Sequence, residues 1–205
     1  MGELADKRGV HAETLLTVLG ALAGFSCQMA VRDELIAKKG MSEQDVFTII
    51  KTKNGETYYS GKYINEFLLG TKPGNYSVWT LVAAAAGKRG KLLPNTSSII
   101  ARTAKSYGTE DFGVPDLPTV HMPHQMPEEL LWKYWNVARN IQLLRMRSTL
   151  TMPLVLAHTA QRIIDENPET IDPTLGVQVF MEAAIPMSRI SPSHVAYAYL
   201  RVPEE

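Results

Sequence analysis

The stretch from Glu13 to Gly40, ETLLTVLGALAGFSCQMAVRDELIAKKG, decides the fold because it carries two apolar faces. Bulky residues at helical spacing form the first face: Leu15, Val18 or Leu19, Leu22, Phe25 and Met29. Mostly small residues form a second, nearly flat face: Leu16, Gly20, Ala23, Cys27 and Ala30. A helix that is apolar nearly all round is usually buried, and a flat face lets another backbone approach closely. The pattern therefore predicts a central helix over about 13–39, ended by Gly40.

The same stretch must be weighed as a membrane or export segment. Its apolar run, Leu15 to Val31, is shorter than the roughly 20 residues that a span needs, and it contains polar residues. Acidic residues before it, Glu3, Asp6 and Glu13, do not fit a basic leader. The single Cys27 cannot form an internal disulfide, which favours a reducing compartment. We therefore expect a cytoplasmic protein with no membrane partner.

A β-hairpin is predicted over about 46–60. Residues 46–50, VFTII, have strand composition, and residues 56–60 can return as the second strand. Between them, Asn54-Gly55 is the preferred sequence of a type I′ turn. Two strands alone are marginally stable and leave two exposed edges. With no third strand evident, we expect a homodimer that covers the hairpin, although helices of the same chain could cover it instead.

The remainder of the chain predicts helices joined by loops. Three helix starts share a proline at or near the first helical position, at Pro127, Pro173 and Pro192. The proline-rich segment 109–127 has no sustained periodicity, but it is too apolar for a solvated linker. We interpret it as an ordered strap across the helices. The predicted fold is thus a mainly α, single domain over 1–205, with seven or eight helices and one hairpin; a domain boundary within 109–127 is the alternative.

Composition narrows the class of function. The chain has 21 Lys and Arg against 21 Asp and Glu, so its formal net charge is zero, and no strong global field attracts nucleic acid. The sequence has no glycine-rich nucleotide loop, no HExxH and no CxxC. We therefore expect no nucleic-acid partner and no cofactor. An interaction protein or a small-ligand-binding protein, acting as a homodimer, is the favoured interpretation.

Polar residues on apolar helices are the best candidates for a site, because a buried ion must be paired or must titrate. Glu182 is the clearest case, since it lies in the apolar run 179–185. It could pair with Arg32 or Arg189 as part of the core, or line a polar pocket between helices. The candidate ligand-binding residues are Gln28, Arg32, His158, Glu182 and Arg189.

Two further functions remain as alternatives. The first is an enzyme that uses Glu182 and His158 in an interhelical pocket; Cys27 is a poor nucleophile because it lies in the middle of an apolar helix. The second is a metal-binding protein, since His121 and His124 form an H-x-x-H pair. A zinc site needs three or four ligands, and the others are not identifiable. Ordinary loop histidines are therefore favoured over a metal site.

Overall fold

The computed structural model describes residues 5–6, 9–72, 74–145 and 148–199. The protein is 63% helical and contains the predicted antiparallel hairpin, which confirms the mainly α prediction. A second antiparallel pair of two-residue strands lies before the first helix. Within the described residues there are nine α-helices, one or two more than the sequence predicts.

The elements follow one another along the chain, and the longest connection is the one between α5 and α6 that contains the strap 109–127. The helices are α1 Ala12–Val31, α2 Glu43–Val46, α3 Lys62–Leu69, α4 Val78–Gly87, α5 Thr96–Lys105, α6 Pro127–Arg145, α7 Thr151–Glu166, α8 Pro173–Met187 and α9 Pro192–Tyr199. The strands are β1 Ala5–Asp6, β2 Gly9–Val10, β3 Thr48–Lys51 and β4 Thr57–Ser60, paired as β1–β2 and β3–β4. A π-helical segment, Arg32–Ala37, continues α1, and a 3-10 turn, Thr119–His121, precedes α6.

Helix α1 is the centre of the fold and packs against α3, α6, α7 and α8. The flat face meets α8 at very short range. A Cβ atom added to Gly20 would lie 2.3 Å from the Phe180 carbonyl oxygen, and one added to Gly24 would lie 2.0 Å from that of Ala184. Only glycine permits this backbone approach, so the small face of α1 fixes the position of α8.

The two faces of α1 contribute to two hydrophobic clusters. The small face joins α3, α4, α7 and α8 in the larger cluster, which contains Cys27 and Phe180. The bulky face joins α6 and residues near the start of α9 in the smaller cluster. There Phe25 and Trp135 make an edge-to-face contact with ring centroids 4.6 Å apart.

The end of the central helix differs from the prediction. From Arg32 the helix winds as a π segment, in which the Lys38 amide donates to the Asp33 carbonyl at 3.0 Å. Gly40 has φ +70°, as expected of a left-handed cap. The sequence carries the signal for the cap, but the π winding follows no residue pattern that we can identify.

The hairpin forms, with corrections to its start and its turn. Val46 ends the short helix α2, which Ser42 caps, so β3 begins only at Thr48. A type I′ turn needs positive φ at both central residues, but of the two only Gly55 has it, at +89°. Instead, the Asn54 side-chain amide donates to the Gly108 carbonyl at 3.2 Å, which ties the hairpin tip to the segment after α5.

Helices and loops of the same chain cover the hairpin. Phe47, Tyr58 and Tyr59 are buried. The outer edge of β4 pairs with the connection between α8 and α9, where the Tyr59 amide donates to the Arg189 carbonyl at 2.8 Å and Tyr58 bridges Ile190. Of the two edges that motivated a hairpin-mediated dimer, that of β4 is therefore occupied, and the dimer itself stays a prediction.

The strap 109–127 makes hydrogen bonds to both α8 and α1. The Asp116 amide donates to the Glu182 carboxylate at 3.2 Å, and the Gln178 side chain donates to the Asp116 carbonyl at 3.0 Å. At the other end, the His124 amide donates to the Thr14 hydroxyl at 3.0 Å. The strap thus connects α8 with the start of α1.

Among the described helices, Ala12–Ala37 alone is long and apolar enough to cross a membrane. Of its most apolar window, 83% is buried inside the structure. Core helices of soluble proteins and signal sequences both share this composition, so the cytoplasmic location stays a prediction.

Candidate functional site

Two of the five predicted ligand-binding residues, Gln28 and Arg32, bond to each other where α1 lies against the end of α8. The Gln28 amide nitrogen donates to the carbonyls of Ser188, at 2.9 Å, and Ile190, at 3.1 Å. Its oxygen accepts from Arg32 Nε at 3.2 Å. Gln28 is fully buried, and both ends of its amide are bonded to the protein. Its role is to join the two helices.

Arg32 joins α1 to the hairpin. Its Nη1 pairs with Glu43, and its guanidinium lies over the rings of Tyr59, at 4.3 Å, and Phe47, at 4.8 Å. Nη2 is buried and has no partner in the described residues. A guanidinium held between a carboxylate and two aromatic rings is positioned for packing, and its head is not open to a ligand.

Arg189 is a buried cation without a carboxylate partner in the described chain. Its Nη2 donates to the Asn65 side-chain oxygen at 2.5 Å, and Nη1 has no partner. Burial lowers the pKa of the Arg189 guanidinium. The Asn65 bond ties the end of α8 to α3.

Glu182 pairs with Arg102 of α5, and not with Arg32 or Arg189 as the sequence suggested. The carboxylate is only 3% exposed and also accepts from the Asp116 amide. Burial raises the pKa of Glu182 more than the Arg102 guanidinium lowers it. Glu182 therefore anchors α5 and the strap on α8.

His158 lies apart from these residues. It is exposed on α7, beside a shallow apolar depression lined by Tyr76 and Leu154. No hydrogen bond or ion pair joins it to Glu182 in the structure as described, so the enzyme alternative has no geometric support from this pair. Cys27 is fully buried, and burial raises the pKa of its thiol, which disfavours the nucleophilic thiolate.

The two strap histidines have different partners. His121 Nδ1 lies 2.8 Å from Glu13 Oε1, whereas the His124 ring stacks on His11 with centroids 4.0 Å apart. Across the described residues, no three His, Cys, Asp or Glu side chains are arranged to hold a metal ion. The histidines instead attach the strap to the start of α1.

An open groove of about 400 Å³ lies between the C-terminal end of α1, together with the π segment that follows it, and the second half of α6. The π segment forms one wall and α6 the other. Its main lining residues are Met29, Ile36, Trp135, Arg139, Gln142 and Leu143. Trp135 is buried, but Leu143, two turns later on the same side of α6, is exposed. The inward face of α6 thus extends beyond the part that α1 covers, and the groove opens there.

Two polar side chains of α6 are unpartnered in this groove. Gln142 is only 8% exposed, and its amide makes no hydrogen bond with any described residue. Arg139 is exposed at the rim and likewise makes no ion pair within the described ranges. The Gln142 amide atoms are not among the buried polar atoms that lack a partner, so the amide is open to the groove and can bond a group that enters it.

Asp33, the carboxylate that lines the groove, already has partners within the protein. Asp33 accepts from the Thr149 hydroxyl at 2.7 Å and lies 2.9 Å from Lys38 Nζ. These hydrogen bonds, that of Thr149 first, lower the pKa of Asp33. Arg32 also lines the groove, but its unpartnered Nη2 is buried, so the polar groups left available are the Gln142 amide and the Arg139 guanidinium.

This site was missed from the sequence because the apolar pattern placed the wrong face of α6 toward the core. The apolar pattern allowed either Tyr134 or Trp135 on the inward face and placed Ile141 there, with Gln142 outside. The structure selects Trp135, which brings Gln142 inward and exposes Ile141. The packing of the large Trp135 indole against α1 decides which face of α6 points inward. The periodicity of apolar residues alone does not reveal this packing.

A second, polar cleft of about 490 Å³ borders the hairpin. There the Tyr58 hydroxyl donates to Glu56 at 2.7 Å, and His194 Nε2 lies 3.1 Å from Glu128. The bond to Glu128 raises the pKa of His194. These four groups satisfy one another, so they make a weaker case for a ligand than the unpartnered Gln142.

Comparison of the chain with protein-family models, with curated proteins and with solved structures found no match.

Proposed function

We propose that this protein binds a small amphipathic anion in the groove between the π segment and α6. The observation that carries the proposal is the Gln142 side chain, which is nearly buried and lines the groove, and whose amide has no hydrogen-bond partner among the described residues. Because the amide atoms are open to the groove, a ligand oxygen can replace the solvent that they meet there.

The walls of the groove favour a ligand with an apolar body. Met29, Ile36, Trp135 and Leu143 offer side chains that a hydrocarbon chain can cover. Small-molecule sites are mostly apolar, with a few polar groups that orient the ligand, and have volumes of about 300–1,000 Å³. The groove of about 400 Å³ falls within that range.

Charge favours an anionic head. Arg139 supplies an unpaired guanidinium one helical turn from Gln142, so one carboxylate can accept from both side chains. Asp33, the carboxylate in the same groove, is held by Lys38 and Thr149 and adds little repulsion. A cationic head would find no free carboxylate among these lining residues.

Thermal denaturation with decanoate as the probe tests this function. At about 100 times the dissociation constant, decanoate stabilises the fold by about 2.7 kcal/mol, which corresponds to about 5–10 °C in Tm for a chain of this size. Decylamine, with the same chain and a cationic head, gives a much smaller shift.

Variants separate groove binding from binding elsewhere. Gln142→Leu and Arg139→Gln reduce the decanoate shift, whereas the control Arg162→Gln, at an exposed ion pair on α7, leaves it unchanged. Equal shifts for decanoate and decylamine, or a shift that survives both groove substitutions, contradict the proposal.

A further inference from the structure

The Gln142 side chain offers the groove polar groups of two opposite kinds. Its amide oxygen accepts hydrogen bonds and its amide nitrogen donates them, and neither atom is bonded to any described residue. A plain carboxylate, such as that of decanoate, only accepts hydrogen bonds, so it can use the nitrogen but leaves the oxygen unmet. A head group that also carries an N–H would use both halves of the Gln142 amide.

The spacing of the lining residues along α6 shows how a ligand can lie. Trp135, Arg139 and Gln142 follow one another at intervals of four and three residues, so they share one face of the helix. On that face Arg139 is the neighbour of Gln142, with Cβ atoms about 5–6 Å apart. Trp135 lies about 10 Å from Gln142 along the helix axis. A polar head between Arg139 and Gln142 therefore leaves room for an apolar tail that runs toward Trp135.

We propose that the ligand is an N-acylated α-amino acid. This inference rests on the anion site proposed above and specifies its ligand. In an extended residue the N–H and the carbonyl oxygen point to the same side, which is why facing residues of an antiparallel sheet exchange two hydrogen bonds. In the same way, the ligand N–H donates to the Gln142 oxygen, and one carboxylate oxygen accepts from the Gln142 nitrogen. The other carboxylate oxygen accepts from the Arg139 guanidinium.

Acylation suits the groove because it removes the charge of the amino group. A free amino acid would bring in an ammonium group, yet the Asp33 carboxylate is already bonded to Thr149 and Lys38. An acylated nitrogen is neutral and keeps one N–H for Gln142. The acyl group also supplies the apolar chain that the wall around Trp135 can cover.

The same head group occurs in two kinds of molecule, small N-acyl amino acids and the C-terminal residue of a peptide. The groove of about 400 Å³ has the volume of a small-molecule site. A small N-acyl amino acid is therefore the better match, and a short peptide of similar length distinguishes the second source experimentally.

Ligands with chains of equal length test the head group. N-heptanoylglycine carries the N–H, its ester analogue has an oxygen in place of that N–H, and decanoate has neither group. Calorimetric titration of the full chain should give a dissociation constant about ten-fold lower for N-heptanoylglycine than for the ester or for decanoate. The reason is that only N-heptanoylglycine can donate a hydrogen bond to the Gln142 oxygen.

Variants separate the roles of the two residues that hold the head group. Gln142→Leu should remove the preference for the amide over the ester, whereas Arg139→Gln should weaken the binding of both and keep the preference. The control Arg162→Gln, at an exposed ion pair on α7, should change neither. Because the two ligands are compared within each variant, a general loss of folded protein cannot imitate a loss of preference.

The outcomes separate this inference from the anion site on which it rests. Equal binding of the amide and the ester, or a preference that survives Gln142→Leu, overturns the inference, while binding of decanoate still supports the site. Absence of binding by all these ligands overturns both. Tighter binding of acetylated leucyl-leucyl-glycine than of N-heptanoylglycine would overturn the small-molecule source, because the occupant would then be a peptide C-terminus.

Discussion

At the scale of single residues, the buried carboxylate of Glu182, paired with the half-buried Arg102, controls how stability depends on pH. Burial raises the pKa of Glu182, so the folded state binds the proton more tightly than the unfolded chain does. The resulting stabilisation is complete below the ordinary pKa of Glu. It is lost as the pH rises through the raised pKa.

We therefore expect Glu182→Gln to be more stable than the wild type near neutral pH, with the difference shrinking toward about pH 4. Urea unfolding at about pH 4 and about pH 8 measures it. Arg102→Gln should steepen the loss of stability with rising pH, because it removes the cation that lowers the pKa of Glu182. A wild type that gains stability over Glu182→Gln as the pH rises contradicts this account.

Single residues are also where sequence reasoning was least complete. The sequence identified Gln28, Arg32, Glu182 and Arg189 as polar groups on apolar helices, and all four are largely or fully buried. It could not identify their partners, because Arg102 is 80 positions from Glu182 and Ser188 is 160 from Gln28. The local sequence pattern predicts which side chains are buried. Their partners depend on how elements that are distant in the sequence pack against each other.

At the scale of elements, the contact between α1 and α8 carries a sharp prediction. Gly24→Ala would place a Cβ 2.0 Å from the Ala184 carbonyl oxygen, which is backbone and cannot move without shifting α8. We expect a loss of about 1–3 kcal/mol in the free energy of unfolding.

The matched control is Gly87→Ala at the end of α4, where an added Cβ meets nothing within 4 Å. It should be neutral or stabilise the fold by up to about 1 kcal/mol, because alanine loses less backbone entropy on folding. Denaturant unfolding of both variants measures the difference, and equal effects would show that α1 and α8 do not approach as closely as described.

Several helices and strands were predicted well from the sequence. Two apolar faces predicted the central helix, and the contrast between small and bulky residues predicted the close approach on one side only. Strand composition and the Asn54-Gly55 pair predicted the hairpin, although the predicted type I′ turn was wrong. The rotation of α6 was not predictable, because Tyr134 and Trp135 are adjacent, and only the packing of Trp135 against Phe25 decides between them.

At the scale of the whole molecule, the homodimer predicted from the sequence is open to direct measurement. Its original motive was an uncovered hairpin, yet Phe47, Tyr58 and Tyr59 are buried within one chain. Light scattering at micromolar concentration gives twice the mass of one chain if the prediction holds, and the mass of one chain if it is wrong. For a dimer, a folded monomer produced by Ile49→Lys would place the interface at the hairpin.

The groove proposed as the ligand site is most directly tested by the side-chain amide signals of Gln142 in an NMR spectrum, assigned by their loss in Gln142→Leu. On titration with decanoate these signals should shift progressively and saturate, because the amide gains the hydrogen bond that the protein leaves unmade. Decylamine should leave them nearly unmoved. Signals that stay in place while decanoate shifts other residues would contradict the account.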